Sequence, residues 1–100
     1  MDKKALIAAG FTPRTYEGQE GEFYVVERPA EAFAFCRLHV IDNEWVTGDM
    51  LTAIEICPGS LIQIYIAEGD YANTYGLNTP EGQELLQDAL AVLKVSKAQA

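Results

Sequence analysis

Apolar and polar residues alternate along several short segments in the middle of the chain, which is the pattern of half-buried strands. Isoleucine recurs at every second position from Ile62 to Ile66, within the apolar segment Leu61 to Ala67. The hairpin signal Pro58-Gly59-Ser60 precedes this segment, so Leu51 to Cys57 is predicted to be its antiparallel partner. The same criteria predict three further strands, at Thr12 to Glu17, Glu22 to Arg28 and Phe33 to Ile41.

A short helix is predicted at the start of the chain, from Lys3 to Ala9. Asp2 can accept hydrogen bonds from the first backbone amides of this helix, and Gly10 is a common C-terminal stop. Leu6 and Ile7 are expected to face the core.

The longest helix is predicted near the end of the chain, from Pro80 to Lys97. Thr79-Pro80-Glu81 is a typical helix start, because it combines a capping threonine, a proline in the first turn and an acid near the positive end of the helix dipole. Apolar residues then recur at helical spacing along one face: Leu85, Leu86, Ala89, Leu90 and Leu93.

These elements define the predicted fold class. A chain of 100 residues fits one core, so residues 1–100 are predicted to form a single α+β domain. Short turns between the strands favour an antiparallel meander of four to five strands. The short N-terminal helix and the longer C-terminal helix are expected to pack on one face of this sheet, since nothing else can bury the isoleucines.

Charge narrows the classes of partner. Fifteen acids face seven bases, for a formal net charge of −8. No lysine or arginine lies between Leu38 and Leu93, so this part of the chain cannot supply a basic patch for nucleic acid. Such a charge also disfavours anionic membranes and favours a basic protein partner, although acidity that serves solubility alone is the alternative. The interval holds nine acids: Asp42, Glu44, Asp49, Glu55, Glu68, Asp70, Glu81, Glu84 and Asp88.

The sequence predicts a cytoplasmic protein. No stretch approaches the ~20 apolar residues of a membrane span. The first residues begin like a signal peptide, but Thr12-Pro13-Arg14 follows before any long apolar run, so export is rejected. The two cysteines, Cys36 and Cys57, are too few for a disulfide scaffold and are expected to be reduced.

Strand alternation predicts a second, open sheet face opposite the isoleucines. On the predicted strand Phe33 to Ile41 it directs Cys36 to the core and its neighbours outward. This mixed polar and aromatic face is a candidate partner-binding surface, and a merely solvated sheet face is the alternative. Its predicted members are Arg37, His39, Glu55, Gln63 and Tyr65, with Phe33 and Phe35 at one end.

A second candidate surface is the polar, tyrosine-bearing loop predicted from Glu68 to Asn78. Tyrosine offers a large contact area with a polar tip, and protein interfaces favour it. The alternative is that these rings cap the sheet edge and pack under the C-terminal helix. The candidate binding residues of the loop are Glu68, Asp70, Tyr71, Asn73 and Tyr75, with Tyr65 just before it.

Catalytic and metal chemistry find little support in the sequence. His39 is the only histidine, and the predicted strand places it on the opposite face from Cys36. Cys57 would lie on the same face as His39 only in one strand register, and no local motif supports a cysteine–histidine pair. No zinc-binding pattern, calcium loop or glycine-rich phosphate loop is present. The prediction is a non-enzymatic protein without cofactor or metal.

Four short motifs resemble those of small acidic proteins of unknown function encoded in bacterial prophages and other mobile elements. They are Leu6-Ile7-Ala8-Ala9-Gly10-Phe11, Tyr16-Glu17-Gly18, Gly21-Glu22-Phe23 and Thr79-Pro80-Glu81-Gly82. The resemblance implies a protein that works by binding, as anti-restriction and anti-CRISPR inhibitors, toxin-immunity proteins and virion-assembly helpers do. It assigns no catalytic or binding residue.

The leading hypothesis is therefore an acidic interaction protein whose side chains from Asp42 to Asp88 stand in for phosphates toward a basic protein partner. One alternative is a small-ligand or weakly catalytic domain that uses the open sheet face. Another is a structural or virion-assembly protein that forms a homo-oligomer through the sheet.

Overall fold

The computed structural model describes residues 3–33, 35–36, 40–41, 44–45, 51–66 and 72–99. Two α-helices, α1 (Lys3–Ala9) and α2 (Pro80–Gln99), lie at the two ends, and a 3-10 turn spans Ala30–Phe33. The strands in these residues are β1 (Thr12–Arg14), β2 (Phe23–Pro29), β3 (Val40–Ile41), β4 (Glu44–Trp45), β5 (Leu51–Cys57), β6 (Leu61–Ile66) and β7 (Ala72–Gly76).

Five strands form one antiparallel sheet in the order β1-β2-β5-β6-β7. The two-residue strands β3 and β4 pair with each other as a separate ribbon between β2 and β5 in the chain. Apart from this ribbon, each strand pairs with the next one along the chain, as short connections favour. The predicted α+β fold, with a helix at each end and an antiparallel sheet, is confirmed.

The register of the central strand β5 stacks the isoleucines on one face. Ile54 lies opposite Ile64 of β6, and Ile56 lies opposite Ile62. Val26 of β2 lies opposite Ile54 on the other side. These side chains are buried against α2, whose contribution to the same core is Leu85, Leu86, Ala89, Val92 and Leu93. Burial at this spacing is what an amphipathic helix on a half-buried sheet requires.

Helix α1 has the predicted bounds, and its end explains why Gly10 is there. The amide of Phe11 donates to the carbonyl of Leu6 (3.1 Å) and that of Gly10 to Ile7 (3.0 Å), while Gly10 has φ +113°. This is a Schellman cap, which needs a left-handed residue after the last turn. Leu6 is 4% exposed as predicted, but the expectation that Ile7 faces the core is wrong, since it is 43% exposed.

The start of α2 confirms the predicted cap. The backbone amide of Gly82 donates to Thr79 Oγ1 (3.1 Å), and the same hydroxyl donates to the carbonyl of Gly76 (2.6 Å). One threonine therefore satisfies a free amide of the helix and ties the helix to the end of β7. The helix runs to Gln99, two residues beyond the predicted Lys97.

The predicted strand Phe33 to Ile41 is wrong at its start, and residues 34 and 37–39 lie outside the described residues. A 3-10 turn ends at Phe33, the amide of Cys36 donates to the carbonyl of Phe33 (2.9 Å), and Val40–Ile41 is extended as predicted. Phe33 and Cys36 are both fully buried in the core. A turn brings residues three apart to one side, whereas a strand would have sent them to opposite faces.

The predicted loop from Glu68 to Asn78 contains a strand. Ala72–Gly76 pairs with β6, so that Tyr75 lies opposite Ile62 and Asn73 opposite Ile64. The sequence did not predict this strand, because it lies at the edge of the sheet and contains asparagine and glycine, which have low intrinsic strand propensity. In the described part of the chain, neither helix combines the length and apolar character needed to cross a bilayer.

Candidate functional site

The sheet face opposite the helices, called the outer face below, holds a buried acid at its centre. Glu55 lies on β5 between Ile54 and Ile56, so alternation turns its side chain away from the core. It is 2% exposed, although glutamate is almost never fully buried without partners. Val25 and Ala53 on the same face are also buried, so the expectation that this face is open is wrong at its centre.

Three side chains donate hydrogen bonds to the Glu55 carboxylate. Gln63 Nε2 donates to Oε1 (2.9 Å), Tyr65 OH donates to Oε2 (3.5 Å), and Tyr16 OH donates to the same oxygen. Hydrogen bonds to a charged acceptor offset part of the cost of removing it from water. Glu55 belongs to neither of the two ion pairs found within the described residues.

The sheet register places these partners. Gln63 lies directly opposite Glu55 on β6, and Tyr65 lies two residues further along the same face. Tyr16 arrives from beyond the end of β1 and packs its ring edge-on against Phe23, with centroids 4.8 Å apart and planes at 84°. Edge-to-face packing is a preferred arrangement of aromatic pairs, so it holds the Tyr16 hydroxyl over the sheet.

The hydrogen bonds around Glu55 continue across the whole sheet. Arg14 on β1 hydrogen-bonds Tyr16 and forms an ion pair with Glu27 on β2 (2.6 Å). On the other side Thr74 on β7 donates to Gln63 Oε1 (3.3 Å). Side chains from all five strands are therefore connected through Glu55, and such a network fixes their relative positions.

Both tyrosines at Glu55 are held in their protonated form. Burial raises the pKa of Tyr65, and the negative charge of Glu55 raises it further. Burial also raises the pKa of Tyr16, and its hydrogen bond to Glu55 acts in the same direction. Both hydroxyls therefore remain donors at neutral pH, as their contacts with the carboxylate require.

Two shallow depressions lie on the outer face. The smaller has a volume of about 270 Å³, and Glu55 is the most buried of its lining residues, which are Tyr16, Gln19, Phe23, Glu55, Gln63 and Tyr65. The larger, of about 590 Å³, shares three of these residues and extends toward the β5–β6 hairpin. Its further lining residues are Glu20, Cys57, Pro58, Leu61 and Thr74.

The two thiols are poor nucleophiles. Burial, followed by the charge of Glu55, raises the pKa of Cys57 to about 11. Burial, followed by the charge of Asp88, raises the pKa of Cys36 to about 12. Reactive cysteines need the opposite shift, because the thiolate is the reactive form. Within the described residues, no three cysteine, histidine, aspartate or glutamate side chains are grouped as a metal site.

The structure brings together only part of the predicted binding surface. Glu55 and Tyr65 meet on the outer face with Gln63, as strand alternation predicted. Tyr75 packs instead against the core, which is the alternative considered for the loop tyrosines, and Asn73 is on the same strand face. The other candidates, Arg37, His39, Glu68, Asp70 and Tyr71, lie outside the described residues.

Sequence reasoning missed Tyr16 and Phe23 at this site. Phe23 could have been found, because alternation along β2 puts it on the same face as Val25 and Glu27. Tyr16 carries no such signal, since it lies beyond β1 and reaches Glu55 only through the tertiary fold.

Comparison with known proteins adds no relative to this picture. No family model, no curated protein and no solved structure matches the chain significantly. No matched relative therefore contributes to the functional inference.

Proposed function

We propose that this protein is a non-enzymatic acidic interaction protein that binds a basic protein partner. The resemblance to prophage and mobile-element proteins suggests an inhibitor, anti-defence or immunity role in the cytoplasm. The observation that carries the proposal is the net charge of −8 on a chain of 100 residues. The raised thiol pKa values support a role in binding rather than in nucleophilic catalysis.

The distribution of charge among the described residues strengthens this proposal. Several basic side chains are engaged within the protein: Lys3 with Glu22, Arg14 with Glu27, and Arg28 with the carbonyl of Glu27. Acidic side chains are exposed at four described positions, Glu17, Glu20, Glu31 and Glu81, and basic ones at three, Lys3, Lys4 and Lys94. An outward field of this sign attracts a basic surface and speeds its encounter with the protein.

A small cationic ligand is the second candidate. It is favoured by the buried carboxylate and aromatic rings that line the smaller depression. Convergent polar groups in a concave, partly aromatic site are typical of ligand binding. At about 270 Å³ the depression is below the usual size of such pockets, which favours a side chain of a protein partner.

Affinity capture tests the proposal. The tagged protein should capture a basic protein from host lysate at low salt and release it at high salt, as mass spectrometry would show. Association of the purified pair should then slow as salt rises, while dissociation changes less. The variant Glu17→Gln/Glu20→Gln should associate more slowly than wild type, and Lys4→Gln should associate faster. An association rate that is flat across the salt series in all three proteins would contradict a charge-steered interaction.

A further inference from the structure

We infer that the smaller outer-face depression, called the Glu55 depression below, receives the ammonium group of a lysine from the basic partner. This inference rests on the proposed function and deepens it, since it assigns a site and a side-chain chemistry. It depends on three properties of the depression: its charge, its clustered hydrogen-bond acceptors and its aromatic lining.

The first property is charge. Glu55 is 2% exposed and has hydrogen-bond donors but no ion-pair partner among the described residues. The nearby cation, Arg14, is already paired with Glu27. These three groups therefore leave one negative charge uncompensated at the described site. A cation from a partner would neutralise it in a place where water screens poorly.

The second property is the set of acceptors. An ammonium group has three donors and no acceptor, whereas a tyrosine hydroxyl that donates still has lone pairs to accept. Glu55 Oε2 accepts from the hydroxyls of both Tyr16 and Tyr65, so the carboxylate and two hydroxyl oxygens are clustered. An ammonium group that reaches this cluster finds acceptors on Glu55 and Tyr65, whereas the Tyr16 oxygen already hydrogen-bonds Arg14.

The same contacts disfavour arginine. A guanidinium binds best with its planar fork across both oxygens of a carboxylate. Here Oε1 accepts from Gln63, and Oε2 accepts from Tyr16 and Tyr65, so neither oxygen is unoccupied. An ammonium group is a compact point charge and can add one contact to such a site, whereas a planar guanidinium would have to displace existing donors.

The third property is the aromatic lining. Rings of Tyr16, Phe23 and Tyr65 border the depression. Aromatic faces attract a cation and also cover the methylene stem of a lysine, which prefers apolar surroundings below its charged head. The depression is thus suited to one long cationic side chain.

Model amino acids test the site directly. The probes are N-acetyl-lysine methylamide, the arginine equivalent, and the norleucine equivalent, which lacks a charge. Titration into the isotope-labelled full chain should give saturable NMR shifts at Glu55, Gln63 and Tyr65 with the lysine probe. Binding of the arginine probe should be weaker, and the norleucine probe should produce no saturable shifts. Equal binding of lysine and norleucine, or tighter binding of arginine, would overturn the inference.

Three variants locate the effect. Glu55→Gln keeps the shape and removes the charge, so lysine-probe affinity should fall about tenfold or more. Glu31→Gln makes the same charge change at an exposed position and should leave affinity within about twofold, because exposed charges interact weakly. Tyr65→Phe keeps the ring but removes one acceptor, so it should weaken binding even if Glu55→Gln does not fold. Unchanged affinity in Tyr65→Phe and in folded Glu55→Gln would overturn the assignment.

The test of the lysine site and the test of the proposed function give distinguishable results. If Glu55→Gln binds the captured basic partner as tightly as wild type while association stays salt-sensitive, the lysine site is wrong and the acidic interaction protein stands. If the lysine probe binds in the Glu55 depression but no basic protein is captured, the site stands and the proposed partner class is wrong.

Discussion

At the scale of single residues, Glu55 shows how a buried acid can be accommodated in a small sheet. Gln63 opposite and Tyr65 on the same strand face approach it because of strand register, and Tyr16 approaches it because of tertiary packing. Each donor replaces a water molecule that burial removes. The isoleucines on either side of Glu55 in the sequence fill the core, so one strand serves both faces.

The Tyr65 hydroxyl and the two thiols predict loss of stability in alkali. Folding raises the pKa of Tyr65 above its ordinary value of 10, and raises those of Cys57 and Cys36 from 9 to about 11 and about 12. A group with a raised folded pKa stabilises the fold fully below its unfolded pKa, and this contribution is lost as pH rises toward the folded value.

Urea unfolding across a pH series checks this prediction. The contribution of these groups should be constant below about pH 8, and the free energy of unfolding should fall from about pH 9 upward. The variant Tyr65→Phe/Cys57→Ala lacks two of these groups and should show a shallower decline. A free energy that rises between pH 9 and pH 11 would contradict the direction of these shifts.

At the scale of elements, local sequence signals predicted the helices and strands that local interactions form. The cap at Thr79, the stop at Gly10 and the hairpin residues at 58–60 were sufficient for both helices and for β5 and β6. The failures lie where tertiary contacts decide. Phe33 and Cys36 turn into the core over a 3-10 turn, and β7 is extended because it pairs with β6. Propensity alone could not predict either.

The junction between β7 and α2 predicts an unusual response to alanine. Glycine-to-alanine changes inside helices normally stabilise by about 1 kcal/mol. At Gly82, however, a Cβ would overlap the carbonyl oxygen of Gly76 and lie 2.8 Å from its carbon, and this neighbour is backbone. Gly82→Ala should therefore destabilise by about 1–3 kcal/mol, measured by urea unfolding. Gln87→Ala, exposed on the same helix, is the control and should change stability by less than about 0.5 kcal/mol.

Two adjacent residues test the position of α1. Leu6 is 4% exposed and Ile7 is 43% exposed, although sequence pattern predicted both to be buried. Leu6→Ala should cost about 2–5 kcal/mol, because it removes core contacts and leaves a cavity. Ile7→Ala should cost less than about 1 kcal/mol. Thermal and urea unfolding of both variants would measure this, and equal losses would contradict the orientation of the helix.

At the scale of the whole molecule, the sheet separates two kinds of surface. One face meets α2 through isoleucine, valine and leucine, and the other carries a polar network that includes residues from every strand of the sheet. Strand alternation predicted this division into two faces and placed Glu55, Gln63 and Tyr65 together on the outer face. It could not predict that Tyr16 completes the site, because the path of the chain after β1 is set by packing on Phe23.

The net charge predicts how stability responds to salt. A chain with fifteen acids and seven bases repels itself when compact, and salt screens exposed charges beyond about 8–10 Å at physiological ionic strength. Screening also weakens the ion pairs Lys3–Glu22 and Arg14–Glu27, but such partly exposed pairs contribute little. Repulsion should therefore dominate, and the melting temperature should rise as sodium chloride is increased from low to physiological concentration.

Matched charge variants identify the source of that rise. Glu17→Gln/Glu31→Gln removes two exposed negative charges, so it should melt higher than wild type at low salt and gain less from added salt. Lys4→Gln removes an exposed positive charge and should do the opposite. Calorimetry of the three proteins over one salt series would measure the effect. A melting temperature that falls with salt in wild type would mean that internal ion pairs outweigh self-repulsion. The excess of acids would then cause no net electrostatic destabilisation of the folded state.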